Sequence, residues 1–400
     1  MAADVVVVGG GLVGLASALA LVERAPGLRL TLFEKEPRLA SHQSGHNSGV
    51  VHSGLYYAPG SLKASLCHQG RAELETFCEE HDIPFRRCGK LVVAVDESEL
   101  AGLAELQRRG AENGIQGLAE LDEAGLRELE PHARGVRALH VPETAVVDFR
   151  LVAERMAERL RSLGARLELG TLVTGIAADG EGLAVTTSAG RITAGGLVAC
   201  AGLQADRVAA LAGVDVGVRV VPFRGAYWKL RGRAADLVRG LIYPVPDPRF
   251  PFLGVHFTRR FDGEVWAGPN ATPALAREGY ERLSVSLRDA GDVLAWPGLL
   301  RFAGRYVRTG AGEVWRELWK PAAVAQMRRY LPELADADVV RGPTGVRAQV
   351  MSRTGDLVDD FLVVEGPSSL HIVNTPSPAA TSSLALGRLV AERAAGLVGL

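Results

Sequence analysis

The first 34 residues restrict the architecture more than any other part of the chain. Asp4-Val5-Val6-Val7-Val8 runs straight into Gly9-Gly10-Gly11-Leu12-Val13-Gly14, an apolar stretch reaches Arg24, and Leu30-Thr31-Leu32-Phe33 ends on Glu34. This order predicts a buried strand, a G-x-G-x-x-G turn, a helix over 12–24 and a second strand closing on an acid about 20 residues past the last glycine. Those are the parts of a dinucleotide-binding βαβ unit. Gly9 permits the tight turn, Gly11 lets a pyrophosphate approach backbone N–H groups at the helix N-terminus beside Leu12 and Val13, and Gly14 lets the helix pack on the strand. Glu34 is positioned to accept from the adenosine ribose hydroxyls, with Lys35 beside it.

The glycine motif serves both flavin and nicotinamide dinucleotides, and the following segment separates them. A nicotinamide domain moves quickly from its acid to another helix. Here residues 35–57 form a polar, small-residue loop containing Gly45-His46-Asn47-Ser48-Gly49 and then His52, Tyr56 and Tyr57. Gly45 and Gly49 are expected to leave room for a flat ring, and Asn47 and Ser48 to donate to phosphate or ring oxygens. The expected cofactor is FAD.

With 400 residues, 47% hydrophobic and 23% charged, the chain is long enough for two or three domains around a sizeable core. A net charge of −1 supplies no broad field for nucleic acid or an anionic surface, so partner choice rests with a pocket. Cysteines stand at 67, 78, 88 and 200, with neither a C-x-x-C pair nor a histidine at metal-ligand spacing, so neither a zinc site nor a disulfide framework is expected. The first strand begins close to Met1 and no apolar run reaches the roughly 18 residues of a spanning helix, which predicts a cytoplasmic protein that could touch the inner membrane peripherally. Oligomeric state has no signature in the sequence.

Along the chain, periodicity predicts helices over 61–81, 98–113 and 149–163, the last capped by Asp148. Strands are predicted over 92–95, 166–169, 185–187 and 196–200, the last ending in Ala201-Gly202, where the chain returns to the flavin. Val173 is placed in the same pocket. Residues 216–340 are richer in β-type segments (219–231, 252–258, 264–267), and a helix is predicted over 312–330. The expected fold is α/β: a discontinuous Rossmann-like FAD-binding domain (1–85, 146–215, 341–400) with an inserted antiparallel-sheet substrate domain (86–145, 216–340).

Several segments carry a closer likeness. The loop from Gly45 to Tyr57, Cys88-Gly89-Lys90-Leu91, Pro222-Phe223-Arg224-Gly225, Tyr243-Pro244-Val245-Pro246-Asp247, Pro251-Phe252-Leu253-Gly254-Val255-His256, Gly345-Val346-Arg347-Ala348-Gln349 and Pro376-Ser377-Pro378-Ala379-Ala380-Thr381-Ser382 resemble the L-2-hydroxyglutarate dehydrogenase/oxidase family. That family belongs to the wider D-amino-acid-oxidase-like group of FAD enzymes, and the resemblance spans residues 4 to 395. Asn374-Thr375 departs from the family's usual Asn-Ala, and 273–277 departs after the Gly-Pro-Asn turn. The resemblance implies oxidation of L-2-hydroxyglutarate to 2-oxoglutarate, with electrons passed to quinone, O2 or another acceptor. It also places Pro378, Ala379, Ala380 and Thr381, just before an apolar helix over 384–394, against the flavin edge that gains negative charge on reduction.

Oxidising a carbon next to a carboxylate requires removal of the hydroxyl proton and transfer of a hydride to the flavin. His52 and His256 are the candidate bases, because imidazole titrates near working pH. His256 is expected to share a strand face with Phe252 and Gly254. A dicarboxylate adds two charges to desolvate, for which Arg224 and Arg347 are the candidate pair, with Tyr57 and Tyr243 as hydroxyl donors and Lys63 and Lys90 as secondary candidates. The residues alone also admit an amino-acid or amine oxidase, another 2-hydroxy-acid dehydrogenase, or a non-catalytic flavin-binding regulator.

Overall fold

The computed structural model describes residues 2–247, 253–281 and 284–398. Its opening follows the predicted βαβ unit: strand Ala2–Val8, helix Leu12–Arg24, strand Leu30–Phe33. Val5 to Val8 pair in parallel with Leu30 to Phe33 on one side and with Gly196 to Ala199 on the other. Being covered on both faces, these strands are continuously apolar rather than alternating. The sheet has eight strands and extends through Arg166–Glu168 at one edge and Val173–Asp179 with Gly182–Thr187 at the other, while Ser369–Asn374 joins beside Leu197 to Ala199.

Three helices cover one face. Leu12–Arg24 is buried between Phe149–Ser162, capped as expected by Asp148 through the Arg150 N–H, and the C-terminal helix Ser383–Val398. The last pair touch backbone to backbone: a Cβ on Gly387 would lie 2.6 Å from the Ala16 carbonyl group. Leu62–Glu80 packs on Ser383–Val398 in turn.

A nine-stranded sheet carries the second half of the architecture. It is built on the long pair Val218–Leu230 and Val339–Ser352, with the short strand Thr272–Pro273 also on Val218–Leu230, then Val265–Gly268, His256–Arg259, Leu241–Pro244, Lys90–Ala94, Arg137–Val141 and Ala119–Leu121. One pair departs from the antiparallel expectation, since Leu241–Pro244 runs parallel to Lys90–Ala94. The sheet also takes in residues 341–352, which the sequence reading assigned to the cofactor domain. Val50–Val51, Ala145–Val147 and Phe85–Arg87 form a small sheet between the two large ones.

The helix expected over 312–330 is two helices, Pro297–Leu318 and Lys320–Met327, separated at Trp319, whose extended backbone (ψ 99°) precedes Lys320-Pro321. Proline at the start of the second helix prevents the first from continuing through it. The strand expected over 252–258 begins at His256 and reaches Arg259; Pro251 and Phe252 lie outside the described residues.

Candidate active site

The turn after the first strand is built for close approach. Gly9 has φ of +111°, and a Cβ there would stand 2.3 Å from the Cys200 carbonyl oxygen; a Cβ on Gly14 would stand 1.9 Å from that of Gly9. Glu34 is buried and held by two backbone donors, the N–H of Gly10 at 2.6 Å and of Glu36 at 2.9 Å. Its remaining lone pairs face a groove lined by Gly9, Gly11, Leu12, Val13, Gly14, Lys35, Val173, Ala201, Gly202, Ala379 and Ala380. The groove therefore gathers positions scattered over most of the sequence.

Several residues beyond those expected from the sequence also line the groove. Ser44 accepts from the Leu12 N–H at 3.0 Å at the helix start, and Gln43, Cys200, Gln204 and Thr375 complete the walls. Lys35 is held at the rim by Glu36, by His42 at 2.8 Å and by Glu278 at 3.0 Å. Glu36, His42 and Glu278 place possible ligand atoms within 4.8 Å of one another, but the Lys35 ammonium stands among them.

In the following loop the residues hold the chain itself. Both amide hydrogens of Asn47 go to the carbonyls of Gln43 (3.1 Å) and Ser44 (2.7 Å), and its oxygen accepts from the Gly49 N–H. Asn47 is thus a loop brace rather than a phosphate donor. Gly45 is required because a Cβ would meet the Ala40 carbonyl at 2.3 Å, and Gly49 because φ is +77° with Val147 O at 2.9 Å from a Cβ. Neither vacancy is set by a ring. His46 bonds the Thr344 carbonyl and stacks on Tyr280 at 4.1 Å. Among the described residues the Ser48 side chain has no hydrogen-bond partner. The loop then meets the C-terminal segment, where the His52 N–H donates to Thr381 Oγ1 at 3.0 Å, and Ser382 N–H closes a turn on the Pro378 carbonyl. Ser377 lies against the Tyr57 hydroxyl.

Beside this junction stands a second cluster on the nine-stranded sheet. Alternation sends Leu91, Ile242 and Phe257 into one core, leaving Lys90, Tyr243 and His256 on the other face. His256 is 7% exposed, stacks on Tyr243 at 4.2 Å, and its Nδ1 lies 2.9 Å from the Gly254 carbonyl. That contact makes Nδ1 the protonated nitrogen and leaves Nε2 with a lone pair. Burial, outweighing the Gly254 bond and aided by the positive charges of Arg347 and Lys90, pushes the His256 imidazole down to about 4. Burial, then Lys90 and His256, pushes His52 to about 3. Both rings are neutral at working pH and able to receive a proton. Burial raises the Tyr57 and Tyr243 hydroxyls above their ordinary range, so both stay protonated donors.

The two candidate arginines do not act together. Arg347 pairs in register with Phe223, and Arg224 with Val346, so neighbouring positions send the two side chains to opposite faces. Arg347 acts on His256 and Tyr227. Arg224 instead meets the buried carboxylate of Glu317 at 3.0 Å, which also accepts from Asn270 and Thr272. No signal in the strand segment Pro222-Phe223-Arg224-Gly225 could reveal an acid 93 residues away. Lys63 likewise pairs with Asp359 at 3.0 Å. The four cysteines are free.

Similarity to known proteins agrees with this geometry. Residues 4–393 match the family described as FAD dependent oxidoreductase. The chain is 45% identical over 390 residues to an L-2-hydroxyglutarate dehydrogenase of Indibacter alkaliphilus, covering 97% of this chain and 98% of that protein. It is 43% identical to the mitochondrial L-2-hydroxyglutarate dehydrogenase of Homo sapiens, covering 97% and 88% respectively. Among solved structures, the FAD-bound, dithionite-reduced L-alpha-glycerophosphate oxidase of Mycoplasma pneumoniae superposes with a TM-score of 0.79 at 23% identity, covering 100% of this chain and 95% of that one. That likeness concerns the fold. With a groove whose glycines and acid fit an adenine dinucleotide and identity above 40% along nearly the whole chain, the protein belongs to the FAD-dependent oxidoreductase family and groups within it with the L-2-hydroxyglutarate dehydrogenases.

Proposed function

We propose that this enzyme oxidises L-2-hydroxyglutarate to 2-oxoglutarate. FAD, when bound, supplies the acceptor for a hydride from the substrate's C2. The observation that carries the reading is a neutral His256 whose Nε2 is free to take a proton, with the cations Arg347 and Lys90 both close enough to act on it. Such a group suits a substrate with a hydroxyl between anionic ends. In this reading Nε2 accepts the hydroxyl proton, and the imidazolium so formed is stabilised by the Gly254 carbonyl through Nδ1–H. Arg347 holds the carboxylate adjacent to C2, and the Tyr57 and Tyr243 hydroxyls donate to substrate oxygens. His52, tied by its backbone to Thr381, orders the junction between the two loops. Residues lining the groove, with the N–H groups at the start of helix Leu12–Arg24, hold the dinucleotide. The turn before Ser383–Val398 presents backbone donors to the flavin.

The same reading assigns residues 1–85, 146–215 and 341–400 to cofactor binding, apart from the part of 341–400 that pairs in the other sheet. It gives 86–145 and 216–340 to the substrate. Electrons then pass to an acceptor, for which we favour quinone at a bilayer surface. No described helix is long and apolar enough to cross a membrane. However, Leu287 (88% exposed), Leu294, Leu300, Trp315, Leu318 and Trp319 are exposed on or just after the consecutive helices Leu287–Leu294 and Pro297–Leu318. Exposed tryptophan and leucine near arginine suit the edge of a bilayer.

The test is anaerobic mixing of the FAD-loaded protein with L-2-hydroxyglutarate. The expected result is loss of the oxidised flavin absorbance with stoichiometric 2-oxoglutarate, and no reduction by the D isomer or by glycerol 3-phosphate. Equal rates with lactate would contradict a pocket shaped for two carboxylates.

A further inference from the structure

Burial without an anion makes an ammonium costly and draws the Lys90 amine down to about 7, so holding its charge calls for a partner that the chain does not provide. Lys90 opens the strand Lys90–Ala94 and is 2% exposed. Among the described residues its Nζ has neither a hydrogen bond nor an ion pair; its near neighbours are the ring faces of Tyr56, 4.4 Å from the centroid, and Tyr243, 5.3 Å. Cation–π contact attracts the charge but does not neutralise it.

Other inward-facing cations are treated differently. Lys63 meets Asp359, Arg71 meets Glu143 at 3.1 Å, and Arg277, fully buried, is forked by Asp206. The titratable groups that act on Lys90 or are acted on by it are Cys67, whose thiol burial holds at about 12, and the neutral His52 and His256. None offers a negative charge. Beside Lys90, the Tyr56 hydroxyl is buried and has no hydrogen-bond partner among the described residues. The Lys90 amine and the Tyr56 hydroxyl beside it therefore both lack an acceptor among the described residues.

We infer that Lys90 is the specificity-determining cation of the site, its ammonium receiving the distal carboxylate of a 2-hydroxy diacid with the Tyr56 hydroxyl as a second donor. The inference rests on the proposed substrate and adds the residue that separates a diacid from a monoacid. Arg347 and Lys90 then divide the two anionic ends, and His256, which feels both, takes the hydroxyl between them.

The experiment compares L-2-hydroxyglutarate with (S)-2-hydroxypentanoate, in which a methyl group replaces the distal carboxylate, by anaerobic flavin reduction in the wild-type holoenzyme, Lys90→Met and Lys90→Arg. Lys90→Met should raise half-saturation for the diacid by about 30-fold or more, as expected for loss of one partner of a buried charge pair. The limiting rate and both parameters for the monoacid should change by less than about threefold. Lys90→Arg should retain part of the preference. Equal weakening of both substrates, or a collapse of the limiting rate with binding unchanged, would overturn the assignment. Should Lys90→Met fail to load FAD, titration of the wild-type flavin spectrum with glutarate and pentanoate decides: glutarate should bind at least about tenfold tighter. Equal binding overturns the role of Lys90. Because this titration needs no turnover, failure of L-2-hydroxyglutarate to reduce the flavin overturns the functional reading separately.

Discussion

A histidine at 7% exposure that keeps Nε2 unprotonated is a base held in its useful form over an unusually wide pH range. Its ordinary value near 6.5 is lowered to about 4 because burial disfavours the cation. A lowered value means the ring remains neutral below pH 6.5 and is lost as a base only as pH falls through about 4. The acid limb of kcat/KM, which reports the free enzyme, should therefore lie well below 6.5, whereas the limb of kcat should lie higher because a bound dianion favours the imidazolium. His256→Ala should slow flavin reduction by about 10²- to 10⁴-fold with FAD retained. Wild-type reduction rates in that variant across pH would move the base elsewhere. Arg224 is predicted to behave in another way. Removing it takes the Arg224 cation from the buried Glu317 carboxylate beside Asn270 and Thr272, so Arg224→Met should lower stability by about 3 kcal/mol in urea unfolding. Arg224→Met with Glu317→Gln should recover much of that loss, a recovery that a substrate-binding arginine would not show. Residue types were legible in the sequence, but partners were not: Arg224 and Arg347 look alike there, and only strand register separates them.

Elements were legible where the chain repeats a period or caps itself. Asp148 starts its helix and the glycine turn follows its strand because both are local devices whose causes lie within a few residues. Pairing between distant strands is not local. The parallel pairing of Leu241–Pro244 with Lys90–Ala94 joins segments about 150 residues apart in sequence, and no period announces it. The transfer of 341–352 to the nine-stranded sheet is of the same kind, since Val339–Ser352 reads simply as a strand. Helix packing gives a sharper prediction. Gly387 allows Ser383–Val398 to touch the backbone of Leu12–Arg24 at Ala16, about one turn along the helix whose first residues line the groove. Gly387→Ala should force the pair apart, lowering stability by about 1–3 kcal/mol and weakening FAD retention in the same variant. Normal FAD retention after gel filtration, with a clear drop in melting temperature, would show that the strain stays at the crossing.

At the scale of the whole molecule, the two large sheets bring the cofactor groove and the cluster of Lys90, Tyr243 and His256 together near the junction of His52 with Thr381, while the apolar side chains of 287–319 lie exposed on the helices that pack against the long strand pair through Phe223, Trp296 and Phe302. A chain with net charge −1 has little general attraction for an anionic surface, so any membrane contact must come from such a local apolar face. Trp315 and Trp319 lie with ring centroids 4.9 Å apart and planes tilted by 49°, which leaves two indoles at one helix boundary where interfacial tryptophans would insert together. The protein should therefore sediment with phospholipid vesicles containing quinone, and its tryptophan emission should shift to the blue on binding. Replacing Trp315 and Trp319 by Ser should weaken vesicle partitioning by about tenfold or more, given roughly 1.5–3 kcal/mol for burying one large apolar side chain. Because neither side chain lines the groove or belongs to the cluster around His256, turnover of substrate with a water-soluble dye should be unchanged while turnover with vesicle quinone falls. A wild-type protein that neither sediments with vesicles nor reduces their quinone would exclude the bilayer acceptor and leave a soluble one, without disturbing the assignments made for the groove and for His256.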